Sequence, residues 1–233
     1  MEITTKLMRV RKAILFSFIG LAVIGGLYSL YRNGVDSALA TNTTHTNSQA
    51  QENQKVPVVQ KKPVPVGLPG LQTGNAPWIA EITHLRERLL AIGLPALSSE
   101  GSALHIHQHL DIMVRGKRVE VPPMIGINEK EQFISSIHVH DATSIIHIES
   151  PTIRQYTLGQ FFDIWGVRFT ASQIGGYSAN GKEKLRVFVN GKEIKGNPRA
   201  IILQSHQEIV VVFGANKDLP VPMPSSFSFP PGM

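Results

Sequence analysis

The sequence predicts an α+β domain. It consists of a small mixed or antiparallel sheet of hairpins crossed by one helix, β-grasp-like and preceded by an N-terminal helix; an all-β sandwich is the alternative. Three observations lead there. Apolar residues alternate with a period of two in several short runs between residues 104 and 194. Arg115-Gly116 and Asn190-Gly191 each join two such runs. One Phe-rich stretch, Leu158 to Trp165, has helical spacing instead.

Ahead of that domain, Ala13 to Tyr31 is an uncharged apolar run of 19 residues. As a helix it would span about 28 Å, close to the thickness of a hydrocarbon core. The basic segment 1–12 contains Lys6, Arg9, Arg11 and Lys12, while Arg32 is the one close basic residue on the other side. This asymmetry predicts a single membrane pass through 13–31, with residues after 32 extracytoplasmic. Ala38-Leu39-Ala40 has the A-x-A form of a signal-peptidase site, so cleavage after Ala40 and secretion is the alternative. Residues 32–76, first rich in Thr, Asn and Gln and then in Pro, read as a linker.

The domain is expected over 77–218. Asn75 and Pro77 suit a helix start, Gly93 suits its end, and Ile79, Ile82, Leu85 and Leu89 fall on one stripe. LHIHQHLDIMV then reads as a strand with His105, His107, His109 and Asp111 on one face. It returns through Arg115-Gly116 into KRVEVPP. IHVH and IIHIE form a second hairpin around Asp141-Ala142-Thr143-Ser144. A four-residue loop there pairs His140 with Ile145, Val139 with Ile146 and His138 with His147. His138, His140, His147 and Glu149 then share one face, with opposed Cβ atoms about 5 Å apart. Thr157 and Gln160 have capping-box spacing before the Phe-rich helix, and Gly166 suits its end. Val187 to Ile194 makes a third hairpin, and Gln207 to Phe213 a strongly apolar, central last strand. The Pro-rich tail 219–233 reads as a loose end or as a strap across the domain.

Six of the nine histidines lie between residues 105 and 147. HxH on a strand points two imidazoles to one side, and a third from a neighbouring strand completes a three-His metal site. The candidate ligands are His107, His138, His140 and His147, with His105, His109 and Glu149 joining or orienting them. Asp141 is placed as a carboxylate that accepts a hydrogen bond from a ligand ring. A hydrogen-bonded polar face without metal is the plainer reading of the same residues. The chain has no cysteine, which excludes disulfides, thiolate sites and cysteine nucleophiles, and with few methionines nearby a Cu(I) carrier is disfavoured. A divalent ion is expected, Zn²⁺ first, with Cu²⁺, Ni²⁺ or Fe²⁺ as alternatives. Ser205-His206 is a poor nucleophile–base pair, because adjacent strand residues point to opposite faces.

The net charge of +6 invites a nucleic-acid reading, but its distribution argues against one. Residues 1–75 hold eight Lys and Arg against three acidic residues, whereas 76–233 hold fifteen against fourteen. A nearly neutral domain lacks the concentrated basic face that phosphate backbones require. Three function classes remain: a metal-binding module, a zinc-dependent hydrolase or hydratase with Glu149 or Asp141 relaying protons, and a metal-free interaction domain. The absence of carboxylates paired at a catalytic spacing ranks the module above the enzyme.

The runs LQTGNAPW, HLRERLLAIGLPAL, HIHQHLDIMVRGKRVEVP, HVHDATSIIHIESP, YTLGQFFDIWGVRFTA and LRVFVNGKEI together resemble a family of exported or membrane-anchored bacterial proteins. The resemblance covers Leu71 to Gly214, about 60% of the chain. It implies an exported bacterial domain and brings no assigned reaction with it.

Overall fold

A computed structural model describes residues 67–233. The basic segment 1–12, the apolar segment 13–31 and the linker up to residue 66 lie outside the described residues. Among the described residues no helix is long and apolar enough to cross a membrane. The architecture is mixed α+β, with two α-helices and mostly antiparallel strands.

The first helix is shorter than its apolar stripe suggests. α1 spans Leu85–Ile92 and ends, as expected, at Gly93, which has φ +70°. Residues 77–84 are not helical, and Asn75 caps nothing there. Side chains claim that backbone instead. Gln72 donates to the Ile79 carbonyl and accepts from its N–H, both at 3.0 Å, and Trp165 Nε1 donates to the same carbonyl at 2.9 Å. Trp78 is buried edge-on against Trp165 and Tyr177. Leu85 and Leu89 are buried, while Ile79 and Ile82 are exposed. Residues 67–76, read from sequence as the end of the linker, also pack into the domain. Leu68 is buried, and Gln72 bridges Val167.

Short strands β1 (Ala96–Leu97), β4 (Ile127–Asn128) and β5 (Phe133–Ser135) form a small sheet of their own, in the order β1-β5-β4. The main sheet is built on β2 (Leu104–Val114) and also contains β3 (Lys117–Val119), β6 (Ile137–His138), β7 (Ile145–Ser150), β10 (Lys184–Val189), β11 (Lys192–Glu193) and β12 (Gln207–Gly214). Between β7 and β10 lie α2 (Leu158–Trp165) and the small hairpin β8 (Gln173–Ile174) and β9 (Tyr177–Ser178). The main order is β11-β10-β12-β2-β7-β6, with β3 pairing the far half of β2. Every pairing in it is antiparallel except that of β12 with β2.

Local chemistry accounts for the hairpins and for α2. Arg115 and Gly116 both have positive φ (50° and 76°), as do Asn190 and Gly191 (50° and 77°). Two such residues in succession match the right-handed twist of the strands they join. Thr157 Oγ1 accepts from the Gln160 N–H at 3.3 Å, and Gln160 Oε1 accepts from the Thr157 N–H at 3.0 Å. Gly166 closes the helix at φ +77°. Leu158, Phe161, Phe162 and Trp165 are all fully buried.

The two faces of the main sheet differ. Leu110, Ile112, Ile146, Ile148, Ile209 and Val211 belong to one continuous core with Leu85, Leu89 and the apolar face of α2. The other face holds Phe188, Val210 and Val212, with Met113 and the tail residues Leu219 and Met223 packed against them. Because side chains alternate along strands and paired residues share a face, the odd-numbered residues of β2 belong to this second face. His105, His107 and His109 are therefore on the side opposite the core, in line with the expected strand polarity. All eight residues of β12 are buried, which fits its central place. The tail lies across the histidine-bearing face as a strap. Phe227 stacks on His109 at 3.8 Å, and Phe229 stacks on His206 at 4.8 Å.

Candidate metal centre

Three adjacent strands build the site. In the pairing of β2 with β7, His107 stands opposite His147 and His105 opposite Glu149. In the pairing of β6 with β7, His138 stands opposite His147, the register that the four-residue loop predicts. His107, His147 and His138 consequently form a row across the sheet, and His140 adds a ring just beyond β6. The His107 and His147 rings meet edge to face at 4.7 Å, and those of His140 and His147 at 4.6 Å. His138, His107 and His147 are buried, whereas His105 and His140 are exposed, so the cluster is open to solvent on one side.

Nitrogen atoms converge within it. His138 Nε2 lies 3.0 Å from His140 Nε2, and His105 Nε2 lies 3.1 Å from His107 Nε2. The tautomer of His138 follows from its other nitrogen. Nδ1 is 2.9 Å from the Ser135 carbonyl oxygen, which can only accept, so Nδ1 carries the proton and Nε2 presents a lone pair to the cluster. A ring held this way by a backbone carbonyl is the usual outer support of a metal-ligating histidine.

Charge is arranged to the same end. Burial, followed by the neighbouring His140 ring, pushes His138 down to about 3. Burial and then His140 and His107 push His147 down to about 4, and burial with His105 lowers His107. These imidazoles are neutral at neutral pH, the form that binds metal. Glu149 moves the other way: burial and the adjacent Glu100 carboxylate raise it. Its Oε1 lies 3.2 Å from His105 Nε2 and 3.3 Å from His147 Nδ1.

The donor atoms sort into three groups, each with its atoms within 4.8 Å of one another. His138, His140, His147 and Glu149 form one, and His105, His107 and Glu149 the second. Both can hold a metal ion. His109 falls in the third, with Asp111 and Glu208. It stands apart from the other histidines in its contacts: Nδ1 is 2.7 Å from Glu208 Oε2, and Phe227 covers the ring. Asp111 pairs with Arg118 at 2.9 Å. Asp141 is not bonded to a ligand ring; its Oδ1 accepts from the N–H of Thr143 at 2.9 Å and from the Thr143 hydroxyl, closing the loop.

Two acidic residues at these groups escape a reading of motifs. Glu100 Oε1 lies 3.4 Å from His140 Nε2 and 4.0 Å from His138 Nε2. The following glycine brings it there. A Cβ at Gly101 would lie 2.1 Å from the Ser150 carbonyl carbon and the Pro151 nitrogen, so only glycine lets this turn lie on the end of β7. Glu208 reaches His109 because β12 pairs with β2 across about a hundred residues of chain, with Glu208 beside His109.

The chain matches none of the protein-family models, curated proteins or solved structures with which it was compared. What the site can do follows from its own geometry: imidazoles converging at ligand spacing around a buried carboxylate, with the Nε2 lone pair of His138 preset.

Proposed function

We propose that the chain is a membrane-tethered, extracytoplasmic metal-binding module. In this reading segment 13–31 is the anchor and the histidine face of the sheet holds a divalent ion. The observation that carries the metal reading is the cross-strand row His107–His147–His138, with His138 Nε2 freed by the Ser135 carbonyl. His138, His140, His147 and Glu149 are the ligand set for that ion. Three nitrogens and one carboxylate oxygen suit Zn²⁺, which is four-coordinate with bonds of about 2.0–2.2 Å. The central parallel pairing and the helix packed on the sheet support a β-grasp-like arrangement.

The exposed side of the cluster favours a second reading as a zinc-dependent hydrolase or hydratase. In that reading His138, His140 and His147 alone would hold the ion and leave its fourth position open, and the Glu100 carboxylate, 3.4 Å from His140 Nε2, would be the proton acceptor beside it.

The test is metal content and competition against a chromophoric chelator on the full chain purified in detergent. Tight Zn²⁺ binding that His138→Ala/His140→Ala abolishes is the expected result. A chain that arrives without metal and takes up no Zn²⁺, Cu²⁺, Ni²⁺ or Fe²⁺ more tightly than micromolar overturns the metal reading. Protease treatment of intact expressing cells tests the topology: digestion of residues beyond 32 from outside supports the tether, and full protection removes it.

A further inference from the structure

We infer that the histidine face holds two divalent ions joined by the carboxylate of Glu149, one on His105 and His107 and the other on His138, His140 and His147. This rests on the metal-binding reading above and adds a second ion, its ligands and the bridge.

The two ligand groups share Glu149 and no imidazole. Each contains an HxH pair whose Nε2 atoms already face one another, at 3.1 Å in His105/His107 and 3.0 Å in His138/His140. Two nitrogens bound to one ion at about 2.05 Å and separated by that distance subtend about 95° at the metal, somewhat below the tetrahedral angle. Two such chelates on one sheet face provide two ion positions. Glu149 stands between them. Its Oε1 touches one ring from each group, His105 on one side and His147 on the other. Ions in two-metal centres lie about 3.5–4 Å apart, a span that one carboxylate placed between two chelates can bridge.

The two positions are unequal. His138, His140, His147 and Glu149 make a complete four-ligand shell. His105, His107 and Glu149 make three ligands at the exposed rim and leave one position open. An ion with three protein ligands binds water or an incoming oxygen or nitrogen donor in the fourth. The rim ion is therefore the exchangeable, ligand-accepting one.

The test uses the full chain in detergent, stripped of metal and reloaded with Zn²⁺ or Co²⁺. Two equivalents of Zn²⁺ are expected, falling to one in His105→Ala/His107→Ala. X-ray absorption of the Co²⁺-loaded chain should show a metal–metal vector near 3.5 Å, lost in that double variant and in Glu149→Gln. Near-ultraviolet circular dichroism reports whether the variants fold, and the wild-type vector decides the matter if they do not. One equivalent in the wild type overturns the second ion and leaves the metal-binding reading intact. So do two equivalents of which Glu208→Gln removes one and His105→Ala/His107→Ala none, because the second ion would then belong to His109. No bound ion overturns both readings.

Discussion

His138 and His147 face one another at paired positions of β6 and β7, with rings nearly parallel at 12° and centroids 5.4 Å apart. His138 is fully buried and anchored through Nδ1, so under the metal-binding reading its substitution removes a ligand that rearrangement cannot replace. His138→Ala should weaken Zn²⁺ binding by more than the roughly 10–100-fold that loss of an outer support causes. His84→Ala, a ring on the Glu81 carboxylate near the start of α1, should leave Zn²⁺ affinity unchanged. Chelator competition reads both. Equal affinities in the two variants would remove His138 from the site.

The metal-free protein should lose stability as pH falls from about 6.5 towards 4. His138 and His147 titrate near 3 and 4 in the folded chain against 6.5 when free, and His107 is lowered as well. In that window the unfolded chain takes up protons that the folded one refuses, so acid favours unfolding. Glu149, raised by burial and Glu100, and Asp163, raised by burial, act in the opposite sense over an overlapping range, two groups against three. Urea midpoints at pH 7.5 and 5.0 measure the slope. A midpoint independent of pH would show that these rings are not desolvated.

Gln108 sits on the core side of β2 with no exposed surface, and neither side-chain polar atom has a hydrogen-bond partner among the described residues. A buried amide without partners costs roughly 1–3 kcal/mol by mutational measures. Gln108→Met keeps the volume and removes that penalty. Its Tm should rise by roughly 2–4 °C per kcal/mol for a domain of this size. Calorimetry that shows a lower Tm would mean the amide is bonded in solution.

Gly101→Ala forces a methyl group into the backbone at Ser150 and Pro151 and should displace Glu100 from His140. Gly74→Ala is the control, since a Cβ there meets nothing within 4 Å. Thermal unfolding should fall sharply in the first and remain unchanged in the second. The same Tm in both would show that the turn has room.

Arg88 is fully buried, contacts Glu81, and donates to the carbonyls of Pro69 at 3.1 Å and Ile164 at 3.0 Å. Arg88→Met leaves those acceptors unpaired and should cost about 3–5 kcal/mol. Arg88→Met/Glu81→Leu should recover part of the loss, which a double-mutant cycle in urea measures. Simple additivity of the two substitutions would show that the pair does not interact.

The parts of the fold written in neighbouring residues were legible beforehand. Thr157 with Gln160, the two positive-φ turns and the pairing of His138 with His147 each depend on fewer than a dozen residues. Interactions from distant chain were not. The apolar stripe through Ile79 and Ile82 has helical spacing, yet Gln72 and Trp165 take that backbone into other bonds. At the site, the histidines could be grouped from their spacing, but His109 leaves the group because Glu208 and Phe227 arrive from the last thirty residues. Glu100 joins because Gly101 permits a close approach that no motif describes.

The central, parallel place of β12 has a kinetic consequence. The histidine hairpins are complete by residue 150, but the strand that seals β2 on one side and supports β10 on the other begins at Gln207. Such distant pairing is slow to form, because a long loop must close before the contacts repay it. A chain emerging from its N-terminus therefore displays its clustered histidines long before its sheet can close. Under the metal-binding reading, an ion taken up by that half-built face would act as a scaffold for the strand still to come.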